Sequence, residues 1–77
     1  MADDVPVARV RVYLVGGEVV EGDQRDATDD EIKGMKDALA EILASSGDWQ
    51  VSVERGDSWY VFPKQSVLYV EIEVRRG

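Results

Sequence analysis

The sequence predicts an α+β fold: a five-stranded, mainly antiparallel sheet with one helix packed on one face. Three observations predict it. Apolar residues alternate at a period of two near both ends of the chain, at Ala8, Val10, Val12 and Leu14 and at Leu68, Val70, Ile72 and Val74. Between these runs Ile32, Met35, Leu39, Ile42 and Leu43 recur at helical spacing, as one apolar stripe. Glycine-containing turn sequences separate the strand-like runs.

Residues 1–6 read as a flexible arm ending at Pro6, and residues 7–77 as a single domain. The first strand carries Ala8, Val10, Val12 and Leu14 on one face and Arg9, Arg11 and Tyr13 on the other. Gly16-Gly17 suits a two-residue hairpin turn, because glycine accepts positive φ freely. The return strand, 18–21, then sets Val19 beside Leu14 and Val20 beside Tyr13. Thr28-Asp29-Asp30-Glu31 is a capping box, so the helix is predicted over about residues 29–45, with Gly47 as a left-handed C-cap. Trp49, Val51 and Val53 mark a third strand, Trp59 to Phe62 a fourth, and Val67 to Arg75 a fifth. Pro63 and Lys64 interrupt the last two. The element order is ββαβββ.

A charge match indicates how the ends of the chain meet. Antiparallel pairing sets Arg9 opposite Glu73, Arg11 opposite Glu71 and Tyr13 opposite Tyr69 in one register. Opposed pairs of this kind are worth roughly 0.2–1 kcal/mol each, enough to favour a register. Combined with the hairpins, this predicts the strand order 2-1-5-4-3.

One helix covers only one side of such a sheet. The other face is expected to carry Tyr13, Val20, Val67 and Tyr69. The third hairpin adds Trp59 and Val61 if its loop has two or four residues, or Tyr60 and Phe62 if it has three. An apolar face of this kind is either an interface or the interior of a sheet curved into a small barrel.

Composition excludes several classes of function. The chain has 77 residues, no cysteine and no histidine. Disulfides and ordinary structural zinc sites are therefore out of reach, and so is histidine proton transfer at neutral pH. The serines lack an evident activating base, and Glu71 and Glu73 face arginines in the expected register, which suits ion pairing and not acid–base chemistry. No enzyme activity and no cofactor is expected. Sixteen acidic residues against nine basic ones argue against nucleic-acid binding. The acidic N-terminus and the lack of a long apolar run predict a cytoplasmic protein with no membrane partner.

Seven acidic residues between Glu18 and Glu31 face a single arginine, so this stretch holds six of the seven net negative charges. Folding is expected to gather them at one end of the molecule. Their spacing does not fit a calcium loop, and no metal site is expected. The alternatives are a solvated loop and helix start, or a surface that docks on a basic partner or imitates nucleic-acid phosphates. The candidate acidic binding residues are Glu18, Glu21, Asp23, Asp26, Asp29 and Asp30. Arg55-Gly56-Asp57 spells an integrin-recognition tripeptide but is also ordinary turn chemistry.

The segment Leu14-Val15-Gly16-Gly17-Glu18-Val19-Val20-Glu21-Gly22 resembles the first motif of Sm-like RNA-binding proteins. Val61-Phe62-Pro63 to Ile72 is similar to the last two strands of that small barrel. The resemblance implies a barrel that binds RNA. The family's Asp…Met-Asn run and its Arg-Gly pair are absent, and the helix lies between strands two and three instead of at the N-terminus, so no RNA-contacting residue carries over. In length, acidity and terminal valine-rich strand the chain also resembles small proteins encoded by phages and mobile elements, especially of actinobacteria. The reading that follows is a non-enzymatic interaction or accessory protein, binding a partner protein or a second copy of itself. The alternatives are an Sm-like RNA binder and a structural self-assembling subunit.

Overall fold

The computed structural model describes residues 5–47 and 49–76. The chain runs β1 (Val7–Leu14), β2 (Val19–Glu21), β3 (Arg25–Asp26), α1 (Asp29–Ala44), β4 (Gln50–Arg55), β5 (Ser58–Pro63) and β6 (Val67–Arg75), with one 3-10 turn at Lys64–Ser66. The class is α+β with antiparallel strands, as predicted, but the described residues form six strands in two sheets. Residues 1–4 of the expected arm lie outside the described residues. Pro6 is buried, and its carbonyl accepts a hydrogen bond from the Ala27 N–H at 3.0 Å.

β1 is the centre of the larger sheet. β6 pairs with one edge of β1, and β2 and β3 pair in succession with the other. The predicted charge register holds: Arg9 faces Glu73, Arg11 faces Glu71 and Tyr13 faces Tyr69. Two local features shift other residues by one position. The first loop has three residues, Val15 to Gly17, because Leu14 donates its N–H to the Glu18 carbonyl at 2.8 Å. Gly16 and Gly17 both take positive φ, 109° and 99°, which a side chain would oppose. Val19 therefore faces Tyr13 and Val20 faces Val12, instead of the pairing a two-residue turn would set. Because side chains alternate, Val20 turns inward.

The second shift is a bulge at the start of β6. Leu14 sits opposite Val67 where Leu68 would fall in a regular ladder. An extra residue on one strand reverses the faces beyond it. Val67 thus packs on the core and Leu68 is 65% exposed, the reverse of the expected orientation.

The single sheet of order 2-1-5-4-3 does not form. β4 and β5 make a separate hairpin, closed by the two-residue turn Gly56-Asp57. Pro63 and the 3-10 turn carry the chain from β5 to β6, and the Ser66 carbonyl accepts the Val15 N–H at 2.9 Å, outside any β5–β6 ladder. The physical reason is burial. Both sheets have one apolar face, and facing each other they cover more than one helix could. Val12, Val51 and Val53 form the buried centre, with Leu14, Val20, Tyr60, Phe62 and Val70 around it. The two-residue turn leaves Trp59 and Val61 outward, as that loop length predicts.

The helix forms for local reasons. The Glu31 N–H donates to the Thr28 hydroxyl at 3.1 Å, and the Thr28 N–H donates to the Glu31 carboxylate at 2.8 Å, completing the capping box. The C-terminus departs from expectation. Ser45 leaves the helix in an extended conformation, its N–H shared between the Glu41 and Ile42 carbonyls, and Gly47 does not take positive φ. Gly47 instead makes room for Trp49: a Cβ there would stand 2.8 Å from the indole nitrogen. Leu39, Ile42 and Leu43 pack against the valine cluster, yet no helical residue is buried.

Thr28→Ala removes one half of the capping box and is expected to cost about 1 kcal/mol, while Thr28→Ser keeps the bond and most of the stability. Urea midpoints followed by far-UV circular dichroism measure both.

Candidate functional site

The acidic stretch does not form one patch. Glu18 lies opposite Leu14 at one end of β1, and Asp26 lies opposite Val7 at the other. Seven strand steps separate those ends, about 23 Å. The expectation of a charge gathered at one end of the molecule is thereby corrected. A continuous acidic segment that pairs along a strand is drawn out with it.

Several of these acids have internal partners. Glu21 accepts from the Arg11 Nε. The Asp23 carboxylate accepts the Gly56 N–H at 2.6 Å and so fastens the β4–β5 turn to the loop after β2. Asp29 pairs with Arg76 at 2.7 Å. Glu31 is part of the helix cap, which also holds its pKa below the ordinary carboxylate range. Glu18, Asp26 and Asp30 are exposed. Among the described residues no group of acids is arranged to hold a metal ion.

The outer face of the larger sheet is a built network. Arg11 sits at its centre, bonding Glu21 on β2 and reaching Glu71 at 3.4 Å and Glu73 at 3.2 Å on β6. The Arg11 hydrogen bond holds the Glu21 carboxyl below its usual range. Beside this network Tyr13 stacks on Tyr69, ring centres 4.3 Å apart and planes 17° from parallel. The Tyr13 hydroxyl donates to Glu71 at 2.8 Å, which raises its pKa. Val19 extends the row, 46% exposed, and Tyr69 is 51% exposed. The face is therefore open to solvent, not closed inside a barrel. Arg9 stands opposite Glu73, but Glu73 is engaged by Arg11 and Arg75, and the Arg9 Nε is enclosed without a partner among the described residues.

A second surface lies between the helix and the hairpin. Ala8, Val10, Met35, Leu39, Val53 and Trp59 line an open groove of about 520 Å³, with Asp23, Arg25 and Glu54 among its polar residues. Arg25 and Glu54 pair at 3.2 Å. Trp59 is 66% exposed.

The five residues expected on one apolar sheet face thus divide three ways. Tyr13 and Tyr69 share the outer face, Trp59 lines the groove, and Val20 and Val67 pack on the core. The last two are corrections, caused by the three-residue loop and the bulge. Met35 and Leu39 were legible only as a helical stripe, which sequence periodicity assigns to a core. No helix is long and apolar enough to cross a membrane, among the described residues. No family model, curated protein or solved structure matches this chain.

The two outer-face arginines are expected to behave differently. Arg9→Met removes an enclosed, unpartnered nitrogen and should leave the urea midpoint unchanged or raised. Arg11→Met strands three carboxylates beside one another and should lower it. Acid titration adds a second readout. A depressed Glu21 pKa stabilises the fold above the ordinary glutamate value of about 4.3. That contribution is lost as pH falls through the folded-state value, since the unfolded chain takes up the proton first. Arg11→Met should therefore flatten the acid limb of the urea midpoint against pH.

Proposed function

We propose that this chain is a non-enzymatic accessory protein that acts by binding a partner protein through apolar surface its own fold leaves open. The observation that carries this reading is the helix. Its stripe of Ile32, Met35, Leu39, Ile42 and Leu43 has no buried member, and part of it borders the groove beside Trp59. Apolar area kept in water forgoes about 25 cal/mol per Å² on burial, and a contiguous patch of it commonly marks an interface. Tryptophan at the edge of such a groove is the residue type that most often dominates binding energy.

In this reading an apolar side chain of the partner enters between Met35, Leu39 and Trp59. The net charge of −7 acts at longer range, speeding encounter with a basic protein and slowing encounter with acidic ones. Within the acidic stretch Glu18, Asp26 and Asp30 are exposed and without an ion pair among the described residues, and they contribute as a spread field. A cytoplasmic setting accords with the cysteine-free chain.

The test is capture of binding proteins from the producing cell, followed by titration of each purified candidate against the wild type, Met35→Lys and Trp59→Ser. Both positions lie at the surface, so circular dichroism should confirm folding. The expected result is at least roughly tenfold weaker binding by both variants. Unchanged affinity in both folded variants would overturn the proposal.

A further inference from the structure

The open edge of β6 points to how such a partner docks. β6 spans Val67–Arg75 and pairs only with β1, among the described residues. In an antiparallel pair every second residue turns its N–H and C=O away from its neighbour, so the far edge is a row of unmet hydrogen-bonding groups. Proteins commonly guard such edges with proline or lysine. β6 contains neither, and its bulge is confined to Leu68 near its start.

The outer-face side chains along that edge are Tyr69, Glu71, Glu73 and Arg75, so the negative charge sits at its middle. Across the outer face the charges alternate strand by strand: Glu21 on β2, Arg11 on β1, Glu71 on β6. The next row repeats the pattern, with Arg9 on β1 and Glu73 on β6. An aromatic row, Tyr13 and Tyr69, follows on the other side. A strand added beyond β6 continues the alternation if it presents cations to Glu71 and Glu73 and an apolar or aromatic side chain to Tyr69.

A second copy of β6 fits this edge poorly in the two registers of fullest overlap. Antiparallel self-pairing over all nine residues centres on Glu71 and sets it against its own copy. Moving the centre to Ile72 sets Glu71 against Glu73 twice. Like charges directly opposed are destabilising.

We propose that β6 accepts an extended basic segment of a partner protein as an added strand, read by Glu71, Glu73 and Tyr69. The segment carries lysine or arginine at two alternate positions and an apolar or aromatic residue two positions further on. Backbone hydrogen bonds supply affinity, and the glutamates exclude neutral and acidic strands. This inference rests on the reading of the chain as a protein-binding factor, and it adds a surface separate from the groove.

The experiment uses the intact protein and three synthetic peptides, followed by fluorescence anisotropy at low salt. One contains Lys-Val-Lys-Val-Tyr flanked by threonines; the second has glutamate for both lysines; the third is the basic peptide methylated at every central backbone nitrogen. The basic peptide should bind saturably and slow amide exchange within residues 67–75. The acidic and methylated peptides should bind at least about tenfold more weakly. Equal binding of the methylated peptide, protection elsewhere in the chain, or no binding of the basic peptide would each overturn the proposal. A concentration-dependent mass with β6 protected in the absence of peptide would assign the edge to a second copy and overturn it too. Met35→Lys should leave peptide binding intact. Loss of the peptide effect alone removes this inference, and loss of groove-dependent capture alone removes the earlier one.

Discussion

Everything else in this protein depends on β1 being paired along both edges. Its outer face presents Arg11 to carboxylates from the strands on either side, and its inner face presents Val12 to the centre of the core. One strand thus organises both the polar network and the apolar cluster. With both edges of β1 occupied, further strands must join beyond β6, join beyond β2 and β3, or form a second layer. The β4–β5 hairpin takes the second layer, and the β6 edge stays open.

That choice sets how much the helix has to do. Two sheets facing each other bury Val51 and Val53 against Val12, so the centre of the core is made of strand residues. The helix is left at the side. Its last turns touch the cluster through Leu39, Ile42 and Leu43, while Met35 borders open space. A small domain has little apolar surface to spare. Leaving a stripe of it half covered is a cost that binding would offset, which links the fold to the proposed role.

The acidic segment illustrates how a sequence feature changes meaning on folding. Read along the chain, it is a block of one sign. In space Glu21 neutralises Arg11, Asp23 holds the hairpin turn, Asp29 meets Arg76, and Glu31 caps the helix. Much of the charge serves positions that the local backbone or a neighbouring strand supplies. The glutamates that most clearly select a neighbour, Glu71 and Glu73, lie elsewhere, at a sheet edge.

Local chemistry made most elements legible in advance. The capping box located the start of the helix because its two hydrogen bonds lie within four residues. Alternating valines and the Arg9–Glu73 and Arg11–Glu71 pairing located β1, β6 and their register, because opposite charges and a period of two admit few solutions. The faces of Val20 and Val67 were not legible, since one extra loop residue or one bulged residue inverts a strand and leaves its composition unchanged. Nor was the division into two sheets, which depends on how much apolar area each face can cover once all are present. The groove and the free edge of β6 follow from that division. Secondary structure and the β1–β6 register were written in short-range patterns, whereas the groove and the open edge arose from competition among distant segments for the same small core.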